Sequence, residues 1–174
     1  SLPFNKASYE MLVNMGLMGH FVGDNAQPFH TSADYDGYQA GHGGIHSFYE
    51  EDVVGEFDGD LENLILTAAR KIENPPFLKG KNSIEKMKAL SLISHKEIAE
   101  VLKLDPIVKP SVVKEEKGMQ LRTKAERKSA AVAFEKMQPY IVNQMARGSL
   151  LLAHLWDEAY KSAGRPKVEM YKSY

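Results

Sequence analysis

Residues 19–50 read GHFVGDNAQPFHTSADYDGYQAGHGGIHSFYE and join two helical patterns through a long loop of glycine and polar residues. The stretch contains four of the six histidines in the chain, namely His20, His30, His42 and His46. Asp24 follows His20 by four positions, and Glu50 follows His46 by the same interval. Because residues four apart on a helix lie on the same face, each pair can converge on one ion.

Helical periodicity continues on both sides of this stretch. Over residues 8–21 a three-and-four spacing predicts one buried apolar face, formed by Met11, Leu12, Met15 and Met18. Proline, glycine, Asn and Asp break the period between residues 25 and 45, which predicts a long loop of the kind usually tied to function. A helical pattern resumes near Ile45 and runs towards Phe57.

The remaining helices are predicted from their caps. Asp60 and Ser83 are expected to begin two helices, and Gly164 is expected to end the last one, which starts near Lys117. Pro139 interrupts that final run, so two helices or a kink are expected there. No alternating stretch indicates a sheet, and the mixed charges of residues 114–128 favour a solvated helix face. The sequence therefore predicts an all-α fold.

This all-α chain is expected to form a single multi-helix domain over residues 1–174, with the glycine-rich loop at its site. The hydrophobic content of 43% and net charge of -1 are typical of a globular protein and do not favour a dedicated nucleic-acid or acidic-membrane binder. No apolar run approaches the roughly 18 residues needed to cross a bilayer. Because the chain has no cysteine, any metal ligands must come from His, Asp and Glu.

Three of these residues make one complete zinc site by number. Zinc binds imidazole nitrogen and carboxylate oxygen, and catalytic sites hold it with three protein ligands and leave a position open. His30, His46 and Glu50 would supply such a set from the loop and the following helix, whereas His20 and Asp24 would form only half of another. A hydrogen-bonded polar cluster without metal is the alternative interpretation.

Several other residues have two interpretations each. His42 could replace His46 as a ligand or remain a solvated loop residue. His154 and Asp157 could form a second metal pair, although an ordinary helix face explains them better, and His95 is expected at the surface. Pocket lining and core packing explain equally well the aromatic residues around the site, which are Tyr35, Tyr38, Phe48 and Tyr49.

The motifs together resemble a known family. His20-Phe-Val-Gly-Asp24-Asn-Ala-Gln27-Pro28-Phe-His30, followed by His46-Ser-Phe-Tyr-Glu50, resembles the zinc-dependent phospholipase C family of bacteria. The string is also similar to the single-strand-specific nucleases of fungi and plants that share that helical fold. The carboxylate at Glu50 is closer to the phospholipases, because the nucleases usually end this motif in Asp after a tryptophan.

The resemblance implies a role for each matched residue. Up to three zinc ions would be bound, with Asp24 bridging two of them, His20 binding one, and His30, His46 and Glu50 holding the third. His20 and Asp24 would thereby be the catalytic residues, and metal-activated water would hydrolyse a phosphodiester in a phospholipid or a single-stranded nucleic acid. The family also implies a secreted or periplasmic location.

The match departs from the family pattern upstream of His20. The family takes further ligands from an N-terminal tryptophan, two histidines and an Asp, yet residues 1–19 contain neither His nor Asp. We therefore expect the chain to be the C-terminal part of a longer protein, with one full zinc site and doubtful activity alone. A zinc-stabilised helical domain without activity is the alternative from another class.

Overall fold

The structure is a computed structural model that describes residues 3–170, of which the greater part is helical. Within that range five α-helices follow one another: α1 (Lys6–Ala26), α2 (Ile45–Ser47), α3 (Leu61–Lys71), α4 (Ser83–Leu104) and α5 (Ala130–Ser162). Helix α2 continues as a π-helical turn (Phe48–Val53) and a 3-10 turn (Val54–Glu56). We call residues 45–56 the ligand segment. Further 3-10 turns cover Phe29–Thr31, Pro76–Leu78 and Val168–Met170.

The prediction of an all-α class is wrong. Four short strands lie between α4 and α5: β1 (Ile107–Lys109), β2 (Val112–Glu116), β3 (Met119–Thr123) and β4 (Glu126–Arg127). They pair antiparallel as β1 with β4 and β2 with β3. The fold is 64% helical with about 10% strand, and it is therefore mixed. We call residues 105–127 the strand segment.

The strand segment replaces the first part of the predicted final helix. Lys117 and Gly118 both have positive φ, at 52° and 76°, as a tight type I′ hairpin turn requires. This turn brings Val112 opposite Thr123 and Glu116 opposite Met119. The mixed charges therefore belong to an exposed hairpin, and α5 begins only at Ala130.

Helix α5 is the central element and packs against α1, α3 and α4. It runs without a break through Pro139, so it is one helix, not two. It ends as predicted, since Gly164 has a φ of +78° directly after the C-cap. At Gly148 an added Cβ would lie 3.1 Å from the Cβ of Ala26, so this glycine permits the close approach of α1 to α5.

Two apolar clusters form the core. One joins the ligand segment to α4 and α5 through Ile45, Phe48, Tyr49, Val53, Val101, Ala133, Met137 and Ile141. The other joins α1 to α4 and α5 through Val22, Ala26, Phe77, Leu90, Leu151 and Leu155. The apolar residues of the ligand segment are thus buried in the core, and they hold the segment in place.

The predicted buried face of α1 is only partly correct. Met11, Met15 and Met18 are half-buried, but Leu12 is 46% exposed, and the fully buried residues of α1 are Val22 and Ala26 nearer its end. The predicted helix starts are partly correct. Asp60 precedes α3 as predicted, although its side chain makes no capping hydrogen bond. The predicted cap at Ser83 is wrong by one residue, because Asn82 caps α4 and its side-chain oxygen accepts from the Glu85 N–H at 2.9 Å.

Candidate metal centre

Three side chains converge from three local structures. His30 lies in the 3-10 turn that follows α1, His46 lies in α2, and Glu50 lies in the π-helical turn. The turn at His30 is anchored because Pro28 and Phe29 are buried. π-Helical turns are rare and often mark functional positions. In this one Tyr49 points into the core while Glu50 stays exposed beside the histidines.

The ligand atoms form a small triangle. The Nε2 atoms of His30 and His46 are 2.9 Å apart, and Glu50 Oε2 lies 3.4 Å from the first and 3.0 Å from the second. Tetrahedral zinc with bonds of about 2.0–2.1 Å separates its ligands by about 3.3–3.4 Å, close to these edges. Three ligands of this kind would leave a fourth coordination position of zinc for water or substrate. His30, His46 and Glu50 can therefore hold a metal ion.

Gln27 braces both halves of this triangle. Its side-chain nitrogen donates to Glu50 Oε2 at 3.3 Å, while its side-chain oxygen accepts from the backbone N–H groups of Phe29 and His30. One amide therefore orients the carboxylate ligand and fixes the turn that carries His30. Outer contacts of this kind commonly set ligand orientation and metal affinity.

The loop supports His46 in a similar way. Asp36 Oδ1 accepts a hydrogen bond from the backbone N–H of His46 at 3.3 Å. The backbone carbonyl oxygen of Asp36 accepts one from the N–H of Gly44 at 3.0 Å. Tyr35 presents its ring edge-on to His46 with a centroid separation of 5.6 Å, and this tyrosine is 56% exposed. The glycine-rich loop thus contributes both an orienting carboxylate and an open aromatic face.

His20 and Asp24 lie beside the triangle. Asp24 Oδ2 is 3.4 Å from His20 Nε2, and Asp24 Oδ1 is 3.7 Å from His30 Nδ1. The second distance is too long for a hydrogen bond, yet it places negative charge behind a proposed ligand. The two residues form a pair without a third ligand of suitable spacing among the described residues.

A cleft of about 480 Å³ opens beside these polar residues, between α1, α3, α5 and the ligand segment. His20, Asp24 and Glu50 stand at its polar side. Most of the other walls are aliphatic or otherwise apolar, including Val54, Ile65, Met145 and Leu152.

Two residues that line the cleft, Tyr49 and Gln144, belong to a partly buried polar network. Tyr49 donates to Gln144 at 2.8 Å, Gln144 donates to Glu97 at 2.9 Å, and Arg147 also pairs with Glu97. Burial raises the pKa of Tyr49 above its ordinary value, so its hydroxyl stays protonated and serves as a donor. The hydrogen bond from Tyr49 to Gln144 fixes the start of the π-helical turn against α5.

The other sequence candidates lie elsewhere. His42 does not replace His46, because its Nδ1 lies 2.8 Å from Asp105 Oδ2 in a separate buried cluster. His154 pairs with Glu158 at 3.1 Å rather than with Asp157, which agrees with an ordinary helix face. His95 is exposed, as expected.

Of the four aromatic residues near the site, some pack in the core and others are open to the site, so neither core packing nor pocket lining explains them all. Phe48 and Tyr49 are core residues, Tyr38 is half-buried beneath the Arg122 guanidinium, and Tyr35 is open.

Sequence reasoning missed the residues that brace the site. Gln27 belongs to the motif from His20 to His30, but the motif predicts no role for it. No sequence feature indicates that Asp36 contacts His46. Asp105 and Arg127 are remote in sequence from the histidines, and no spacing rule links them to the loop. The Asp105-Pro106 pair at the predicted end of a helix is the one sequence feature that marks the position of Asp105.

Comparisons of this chain with family models, with curated proteins and with solved structures gave no match. Within residues 3–170, no helix combines the length and the apolar character that a membrane crossing requires. The functional interpretation therefore depends on the geometry of the site and on the sequence motifs.

Proposed function

We propose that the chain carries the metal centre of a zinc-dependent phosphodiester hydrolase of the phospholipase C type. The observation that carries the proposal is the convergence of His30, His46 and Glu50. Glu50 also lines the neighbouring cleft. Two imidazoles and one carboxylate are a common donor set for catalytic zinc, and the chain has no thiol to offer instead. Zinc in this position would polarise a phosphoryl oxygen and activate water.

The chain's own residues would prepare the site for that chemistry. Gln27 holds the Glu50 carboxylate, and the Asp24 carboxylate faces the outer nitrogen of His30. By family resemblance Asp24 and His20 would take part in a second, incomplete ion site, where further ligands would be needed. The activity of this chain by itself therefore depends on whether the single complete site suffices.

The cleft supports a lipid substrate over a nucleic acid. Its walls are largely aliphatic, and the one Phe, Tyr or Trp among its lining residues, Tyr49, is only 2% exposed. A nucleobase is usually bound by stacking on an exposed aromatic face. The glycerol and upper acyl carbons of a phospholipid are a better chemical match to such walls.

Tyr35 supports the second candidate, a single-strand-specific nuclease. Its ring is more than half exposed and lies directly against the ligand His46, where a base could stack next to the scissile phosphate. The two candidates share the metal site and differ in which surface binds the organic part of the substrate. The inactive zinc-stabilised helical domain is the third outcome.

The test is hydrolysis by the purified chain in zinc chloride, with phosphatidylcholine vesicles and a single-stranded oligonucleotide as separate substrates. Zinc-dependent hydrolysis that His46→Ala abolishes and His154→Ala retains would support the proposal. Loss of oligonucleotide cleavage in Tyr35→Ala, without vesicle hydrolysis in the parent chain, would favour the nuclease. Equal hydrolysis by His46→Ala would contradict both, and a chain that binds zinc without hydrolysing either substrate would favour the inactive domain.

A further inference from the structure

A buried ion pair stands between the strand segment and the glycine-rich loop. Asp105 directly follows α4 and has a fully buried side chain, and Arg127 ends β4 with a side chain 8% exposed. The guanidinium binds the carboxylate through two contacts, Nε to Oδ1 at 2.8 Å and Nη2 to Oδ2 at 3.0 Å. We call Asp105 and Arg127 the clamp.

The clamp also binds the loop backbone. Arg127 donates through Nη1 to the carbonyl oxygen of Gly43 at 3.0 Å and through Nη2 to that of His42. Asp105 in turn binds the His42 ring at 2.8 Å. The same loop residues are tied to the strand segment by Ser111, whose hydroxyl accepts the Gly43 N–H at 2.9 Å, and by the Ala125 N–H, which donates to the Gly43 carbonyl.

These contacts lead directly to a metal ligand. The His42 carbonyl that Arg127 binds also accepts the N–H of Ile45 at 3.0 Å, and Ile45 is the residue before His46. The carbonyl of Gly44 accepts the N–H of Phe48 at 3.2 Å and so begins the helical turn that carries His46. The orientation of the clamped carbonyl therefore sets the direction in which the ligand segment leaves the loop.

The loop has little room to move at this point. A Cβ added to Gly43 would lie 2.5 Å from the ring of Tyr38, and Gly44 has a φ of +85°, which favours glycine. A buried ion pair is a weak source of stability, because desolvation offsets the attraction between the charges. The guanidinium of Arg127 has its N–H donors in a fixed planar arrangement, which is well suited to holding two backbone carbonyls in one geometry.

We propose that Asp105 and Arg127 are positioning residues for the metal centre, acting through the His42 and Gly43 carbonyls on the placement of His46. The inference rests on the proposed function only in taking the bound ion to be zinc. It predicts that zinc affinity depends on a guanidinium that touches none of the three ligand side chains.

The test measures the zinc dissociation constant by competition with a chromogenic chelator for the parent chain, Arg127→Lys and the control Glu158→Gln. Lysine keeps the charge opposite Asp105 but cannot bind both carboxylate oxygens and both carbonyls. The control removes the partner of another buried cation, Lys86, on helices outside the loop. Measurements are made well below the lowest melting temperature, with helical circular dichroism matching the parent chain.

We expect Arg127→Lys to weaken zinc binding by about tenfold or more, in the range typical of outer-shell changes, while the control keeps the parent value. The visible spectrum of the cobalt-substituted site should change in Arg127→Lys alone, since a general loss of stability leaves ligand geometry unaltered. Parent-like zinc affinity and cobalt spectrum in Arg127→Lys would overturn the inference.

Ser111→Ala provides a milder second variant, because it removes one contact to Gly43 and leaves the ion pair intact. We expect a smaller loss of zinc affinity, and if Arg127→Lys does not fold, an unchanged affinity in Ser111→Ala overturns the inference. A parent chain that binds no zinc would overturn the proposed function as well. Parent binding with unaffected variants would overturn this inference alone.

Discussion

The Nε2 atoms of His30 and His46 lie 2.9 Å apart although the residues are sixteen positions apart in the chain, and Glu50 Oε2 lies within 3.4 Å of both. A neutral imidazole carries its proton on either ring nitrogen, so these atoms can meet through an N–H hydrogen bond or around a metal ion. These are the hydrogen-bonded and the metal-bound interpretations of the cluster. Metal binding distinguishes the two directly.

The first prediction concerns zinc content and stability. His46→Ala should remove zinc from the purified chain and lower its melting temperature, because an ion at one hundred times its dissociation constant stabilises the folded state by about 2.7 kcal/mol. His20→Ala should have a much smaller effect, since His20 lies outside the three-residue group. Mass spectrometry of bound metal and thermal melts with and without chelator measure both. Unchanged zinc content in His46→Ala would show that the ligands are assigned wrongly.

The second prediction concerns acid stability. A hydrogen bond from the buried Lys86 ammonium, aided by the charge of His154, holds the pKa of Glu158 below its ordinary value of 4.5. Because the folded-state pKa is lowered, this contact stabilises the protein above pH 4.5 and is lost as the pH falls through the folded-state value. The stability difference between the parent chain and Glu158→Gln should therefore be constant at neutral pH and shrink under acid conditions. Urea titrations over a pH series measure this difference, and one that grows on acidification would contradict the assignment.

The third prediction compares two leucines of opposite environment. Leu151 is completely buried between α1 and α4, so Leu151→Ala should lower the free energy of unfolding by about 2–5 kcal/mol. Leu12 is 46% exposed. Leu12→Ala should therefore change the free energy by no more than about 0.5 kcal/mol. Chemical denaturation of both variants provides the measurement, and equal losses would indicate that α1 is buried along a different face.

The fourth prediction concerns the proline within α5. Pro139 is exposed and has no N–H to donate to the carbonyl of Glu135, one turn earlier. Pro139→Ala should restore that bond and raise the free energy of unfolding by about 1–3 kcal/mol. The exposed neighbour Lys136 is the control, because Lys136→Ala adds no bond and should change the value by about 0.5 kcal/mol at most. A loss of stability in Pro139→Ala would mean that the proline ring packs better at this position than alanine does.

Much of the helical framework could be predicted because its causes are local. The caps at Asp60 and Gly164 and the loop between residues 25 and 45 follow from the preferences of neighbouring residues, and the structure agrees with each. The meeting of His30 with His46 and Glu50 could be anticipated as well, since the motif lies within one short stretch and glycines allow the loop to fold back. The hairpin was missed because its charged residues suit a solvated helix as well as an exposed strand.

Local sequence is enough to predict which side chains can bind a metal and that helices carry them, because ligand chemistry and helical spacing are properties of near neighbours. The residues that hold this set in place are fixed by tertiary contacts. Asp105 and Arg127 lie more than sixty residues beyond the loop they bind, and Gln144 reaches Tyr49 from a separate helix. Such contacts form when burial brings distant segments together and their polar groups must find partners away from water, and no local pattern specifies which partners those will be.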